Sequence, residues 1–140
     1  MKVLVDTSVW SLMLRRKHTS LNSEESGFVR ELQDAVNDDR ARLIGPIRQE
    51  LLSGIKMETQ FQQVRLKLAV FDDEKLTTDD YERAAIAANQ CARAGVATTS
   101  IDLLICSVAL HRGWPIFTTD KGFRQLQKVL KFQLYAPALN

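Results

Sequence analysis

The sequence predicts an α/β fold, a mainly parallel sheet covered by helices. Two observations carry that prediction. Short apolar, β-branched runs recur along the chain, at 2–5, 42–44, 115–117 and 132–135. Between them lie longer segments whose apolar residues are spaced for a helix. A helix between two strands returns the chain to the end where it began, so strands separated in this way pair in parallel. The 140 residues read as one domain, 1–140, with no repeat, linker or low-complexity tract.

The elements follow in order. Residues 2–5 form the first strand, and Val9 to Leu14 a helix capped by Asp6, Thr7 or Ser8. A basic loop, Arg15-Arg16-Lys17-His18, leads to a helix opened by Ser23 and Ser26, with Phe28, Val29, Leu32 and Val36 on one face. Arg42-Leu43-Ile44 is a strand. Gly45-Pro46 ends it and opens a helix that carries Glu50, Leu51 and Leu52, because proline suits a first helical position. A further helix runs through Phe61, Val64, Leu68 and Val70. Thr77 and Asp80 have capping-box spacing ahead of a long helix. That helix has a face of small residues, Ala84, Ala85, Ala87, Ala88, Cys91 and Ala92, and stops at Gly95. Residues 101–110 are apolar nearly all round, as a central helix is. Pro115-Ile116-Phe117 is a strand, 121–130 a helix and 132–135 a last strand.

Composition narrows the function classes. A hydrophobic fraction of 45% with 26% charged residues is that of a folded globular domain. No apolar stretch approaches the roughly 20 residues of a membrane span. Asp6 interrupts the N-terminal apolar run before a signal peptide can form, so a cytoplasmic protein is expected. Cys91 and Cys106 lie in apolar helical stretches without neighbouring Cys or His at metal spacing. They read as buried thiols rather than a disulfide or zinc site. The net charge of +2 means that a polyanion must be met by a local patch. His18 and His111 read as surface residues, and Trp10 and Trp114 as core.

Acids mark the strand ends. Asp6 follows Val3-Leu4-Val5, Glu50 follows the second strand by two helical turns, and Asp120 follows Ile116-Phe117 and two threonines. Asp102 heads the most apolar helix. Each has an ordinary role open to it: Asp6 and Asp120 as helix caps, Asp102 as a complement to a helix dipole, Glu50 as a solvated residue. In open α/β sheets, however, ligands bind beyond the carboxyl ends of the strands, where all four would converge. Four carboxylates in one cleft ionise together only with a cation beside them. Oxygen ligands suit Mg²⁺ or Mn²⁺, and such a site activates water and offsets charge on a phosphodiester.

The stretches "VLVDTSVW", "IGPIRQELLSG", "ARAGVATTSIDLLICSVAL" and "PIFTTDKGF" together resemble the PIN-domain ribonucleases, and among them the VapC toxins of toxin–antitoxin pairs. They stand in that family's order and span nearly the whole chain; residues 17–40 and 56–76 contribute little. The resemblance implies a three-layer α/β/α fold with a central mainly parallel sheet. It implies a Mg²⁺- or Mn²⁺-dependent endoribonuclease that cleaves transfer or ribosomal RNA. By position, Asp6, Glu50, Asp102 and Asp120 become the catalytic, metal-holding acids. Thr118 matches a hydroxyl near the last acid, and Ser8 a polar position after the first. The family also implies a homodimer and a small VapB-like antitoxin whose tail enters the active-site groove, in a bacterial or archaeal cytoplasm.

Other classes are weighed against this. A haloacid-dehalogenase-like phosphatase needs a second Asp two residues after the first, where Ser8 stands. A response-regulator receiver needs an acid pair at the first strand and an Asp at a middle strand end, where Gly45-Pro46 stands. A PIN nuclease outside a toxin system and a non-enzymatic binding module remain as alternatives. Lys121, Arg124, Lys128 and Lys131 share one helical face, either against RNA phosphates or simply solvated; Arg15-Arg16-Lys17 offers the same choice. Asp72-Asp73-Glu74 and Asp79-Asp80 read as a solvated loop and a helix cap. Leu12, Leu14 and Phe28 are candidates for a partner surface.

Overall fold

The computed structural model describes residues 1–136. Four strands form one parallel sheet: β1 (Val3–Val5), β2 (Ala41–Ile44), β3 (Asp73–Glu74) and β4 (Ile116–Phe117), in the order β3-β2-β1-β4. Val3 stands opposite Ala41 and Leu4 opposite Ile116, so β1 has a partner on both sides. Buried on both faces, β1 is wholly apolar, as central parallel strands are.

Seven helices connect and cover the sheet: α1 (Thr7–Leu14), α2 (Ser23–Asn37), α3 (Gly45–Leu52), α4 (Glu58–Leu68), α5 (Thr78–Arg93), α6 (Ser100–Arg112) and α7 (Gly122–Leu130). From β1 to β2 to β3 the chain steps one way across the sheet, then jumps back to put β4 on the far side of β1. Right-handed crossovers therefore place α1–α4 on one face and α5–α7 on the other, giving three layers. The packing agrees: α1 rests on α2 and α3, α3 on α4, and α5 on α6 and α7. The core between the layers holds Trp10, Phe117, Phe123, Leu4, Ile105 and Leu51, all almost completely buried.

Several sequence expectations are corrected. β3 lies in the acidic stretch read as a solvated loop: Leu43 pairs with Asp73 and Ile44 with Glu74 through the backbone alone. The last strand shrinks to one parallel bridge, Ile116 to Leu134, because Lys131 turns left-handed (φ 63°) and Phe132 folds into the core. α2 is capped by Asn22 with Glu25 in a capping box, not by Ser23. Val70 lies beyond α4 and is exposed. Leu12 and Leu14 are core residues rather than a partner surface. Trp10 is core, its indole N–H donating to the Val5 carbonyl at 3.1 Å, but Trp114 is only half-buried.

The other helix ends follow the sequence. Thr77 and Asp80 form the capping box of α5. Gly95, at φ 74°, stops it in a Schellman turn, with Val96 N–H on the Cys91 carbonyl at 2.9 Å and Gly95 N–H on that of Ala92 at 3.1 Å. Both cysteines are buried and free, and burial pushes both thiols up. Among the described residues no helix is long and apolar enough to cross a membrane.

Candidate active site

β1 leads into α1 on one face of the sheet, and its neighbour β4 leads into α7 on the other. Connections that part in this way open a crevice at the carboxyl ends of the two strands. Asp6 stands at that point, directly after β1 and as the N-cap of α1. Its side chain is buried, with 5% of the residue exposed. The Ser8 hydroxyl donates to Asp6 Oδ2 at 2.7 Å, the Thr118 hydroxyl donates to the same oxygen at 2.8 Å, and Ser8 N–H approaches it at 3.4 Å. Oδ1 accepts no hydrogen bond among the described residues.

The two hydroxyls tie β1 to β4 across more than a hundred residues of sequence. Ser8 Oγ and Thr118 Oγ1 lie 3.2 Å apart, and Thr119 N–H donates to Ser8 Oγ at 3.0 Å. Asp120 N–H donates to Thr118 Oγ1 at 2.9 Å. The Asp120 carboxylate then accepts from Gly122 N–H at 2.8 Å, which fixes the acid to the first turn of α7. A Cβ at position 122 would come within 3.1 Å of Asp120 Oδ1, so glycine gives that carboxylate room.

Asp102 enters from α6. Thr99 caps that helix, its hydroxyl accepting from Asp102 N–H at 3.1 Å. Burial raises the Asp102 carboxyl, the Asp6 charge raises it further, and Asp120 and Glu50 add to the effect, against a lowering by the Thr99 hydroxyl; the result is about 6. Asp102 is thus within electrostatic reach of the other three predicted acids. Glu50 is exposed at the rim, on the second turn of α3. None of the four forms an ion pair among the described residues. Sequence reasoning missed Thr99, although Thr-x-x-Asp at 99–102 repeats the capping spacing found at 77–80.

This donor set fits a hard divalent cation. Its acids offer carboxylate oxygens, Asp6 keeps one oxygen free, and no lysine or arginine forms an ion pair with any of the four among the described residues. Among the described residues, no three His, Cys, Asp or Glu side chains are drawn together tightly enough to hold an ion on their own. Mg²⁺ does not require that, since it retains several waters and binds through one or two carboxylates.

The uncompensated charge has a consequence for stability. The folded Asp102 carboxyl, at about 6, binds its proton more tightly than the unfolded one, near 4. Stability of the metal-free fold therefore falls as pH rises from about 4 to about 6, and the penalty is complete above that. Asp102→Asn removes it. Chemical unfolding in EDTA should show the variant more stable by about 1–2 kcal/mol at pH 7.5, and no more stable than the parent at pH 4. A variant less stable at pH 7.5 would contradict the charge crowding.

Comparison with known proteins fits this geometry. The model of the PIN domain family matches residues 3–129. No curated protein sequence matches the chain at a significant level. Among solved structures, FitAcB from Neisseria gonorrhoeae is 18% identical with a TM-score of 0.75, over 99% of both chains. VapBC2 from Rickettsia felis, bound to a DNA fragment from their promoter, is 14% identical with a TM-score of 0.69, over 96% of this chain and 98% of that one. A toxin–antitoxin complex from Klebsiella pneumoniae is 19% identical with a TM-score of 0.60, over 87% of this chain and 90% of that one. Structures so distant in sequence share the fold, and the family follows from the match over 3–129: this chain belongs to the PIN domain family.

Proposed function

We propose that the chain is a metal-dependent endoribonuclease and the toxin of a toxin–antitoxin pair. The observation that carries this is the group of four carboxylates at the carboxyl ends of β1, β2 and β4 and the head of α6, none with a cationic partner among the described residues. In a PIN domain, that arrangement suits nuclease chemistry. Asp6 and Asp102 would hold the ion, with Asp120 and Glu50 completing the site. A bound Mg²⁺ or Mn²⁺ would supply positive charge against the scissile phosphate and acidity for water.

The chain's own residues supply position. Ser8 and Thr118 both donate to Asp6 Oδ2, which leaves Oδ1 without a hydrogen bond among the described residues. Thr118 also orders the backbone of Asp120, so one hydroxyl coordinates two acids. No histidine takes part; both histidines are exposed.

The toxin assignment rests on the VapC resemblance and on the fold shared with a structure of a toxin–antitoxin complex and with VapBC2. With it come a small antitoxin in the groove, a homodimer, a structured RNA such as transfer or ribosomal RNA as substrate, and a bacterial or archaeal cytoplasm. Brief induction in cells, followed by mapping of RNA 5′ ends, tests the assignment. It should yield a few discrete new ends in one RNA class, absent for Asp6→Asn. Growth arrest without new RNA ends would overturn it.

A further inference from the structure

Helix α7 presents a second feature beside the acids. It buries Phe123, Leu126 and Leu130 and exposes Lys121, Arg124 and Lys128, with Lys131 exposed just past its end. At 100° per residue, the four cations fall within an arc of about 80°. None of the four makes an ion pair among the described residues. No Asp or Glu occurs after Asp120. At the opposite edge of the sheet Asp39, Asp72, Asp73 and Glu74 line a cavity with Arg42, and Arg42, Arg48 and Arg112 pair with three of those acids. The cations of α7, by contrast, carry no acid partner among the described residues, and their row begins at the active-site crevice, where Gly122 N–H holds Asp120.

We propose that the exposed face of α7 is a track for RNA phosphates that leads the strand into the acid crevice. The proposal rests on the nuclease function proposed above. The face spans about 15 Å of rise from Lys121 to Lys131, the axial length of about four nucleotides of one strand. Regularly repeated charge along a line matches a polyanion backbone, which needs no apolar anchor. A protein partner does need one. None of the large exposed apolar side chains belongs to α7 itself, although Ile86 and Leu110 line a cavity with Val129 and Leu130 at its edge. Track and acids also have complementary tasks: the ridge offsets the repulsion that four carboxylates would otherwise present to an incoming strand.

The test uses the full chain carrying Asp102→Asn, to stall cleavage, and a fluorescent single-stranded RNA 20-mer titrated from 50 to 300 mM salt. Added Arg124→Ala, Lys128→Ala and Lys131→Ala should weaken binding by about 30- to 300-fold at 50 mM salt. They should also flatten the slope of log K against log salt by about 2, at roughly 0.7 per lost phosphate contact. The same number of cations removed from the other layer, Lys56→Ala, Arg65→Ala and Lys67→Ala, should leave the slope nearly unchanged. Equal losses from both sets would mean that net charge alone attracts RNA, and would overturn the track. An unchanged RNA slope with weaker binding of poly-glutamate would make the face a protein-docking surface, and would overturn it as well. If the parent chain shows no salt-dependent RNA binding at all, the nuclease function itself fails. Thermal melts of both triple variants within a few degrees of the parent exclude misfolding as the cause.

Discussion

Asp6→Asn should reduce RNA cleavage by at least about 100- to 1,000-fold while leaving the fold intact. The amide matches the carboxylate in volume and keeps an oxygen that can accept from the Ser8 and Thr118 hydroxyls. The tie between β1 and β4 therefore survives. What disappears is the negative charge at the floor of the crevice, on the one acid of the four that is fully buried. A hard cation recruited through charge loses its main anchor. A structural cap behaves in the opposite way: Asn caps a helix about as well as Asp, so a residue serving only α1 would lose nothing. The outcome thus separates the two roles that Asp6 occupies at once. Cleavage assays at saturating Mn²⁺, paired with thermal melts, check it; native-rate cleavage would leave Asp6 as a cap and no more.

The second large effect lies far from the crevice. Arg112, at the end of α6, grips Asp80 with two parallel bonds, Nη1 to Oδ1 at 2.9 Å and Nη2 to Oδ2 at 3.0 Å. It also reaches Glu74 of β3 at 3.1 Å and the Lys75 carbonyl at 3.1 Å. One guanidinium therefore joins α6, the start of α5 and the edge of the sheet. Asp80 is 1% exposed, and the Arg112 hydrogen bonds, against a burial cost, bring its carboxyl down to about 2. Arg112→Met keeps much of the apolar stem and strands a buried charge, which costs about 3 kcal/mol and about 10 °C in Tm.

The pH dependence gives this prediction its sign. Asp80 titrates lower folded than unfolded. Its contribution is present above about pH 4 and is lost as pH falls toward 2. The gap between parent and Arg112→Met should therefore be widest at pH 7 and should narrow below pH 4. Asp80→Asn combined with Arg112→Met should recover part of the loss, because no buried charge then lacks a partner. Urea unfolding at several pH values measures all three chains. A gap under about 1 kcal/mol at pH 7 would show that the clamp is no stronger than a surface pair.

These two sites also mark what the sequence makes legible. The convergence of Asp6, Asp102 and Asp120 could be anticipated, since strands of one parallel sheet end on one side and each acid follows an apolar run or heads an apolar helix. β1, β2 and β4 were visible for the same reason: central strands must be apolar. β3 was not, because Asp73 and Glu74 pair through backbone groups while their side chains serve Arg48 and Arg112. Asp80 was recognised as a cap, but its burial depends on an arginine 32 residues away, and no local pattern records that. The Ser8–Thr118 contact is hidden in the same way, across 110 residues. Local rules find caps and strands. Pairings between distant polar side chains emerge only once the layers are assembled.

Calorimetric titration of the EDTA-stripped chain with Mn²⁺ at pH 7.5 decides most directly whether the crevice is a cation site. The native chain should take up the ion saturably, with binding lost in Asp6→Asn and Asp102→Asn and retained in Arg112→Met at a temperature where that variant is folded. Uptake that persists undiminished in both acid variants would place the ion elsewhere and separate these carboxylates from any chemistry.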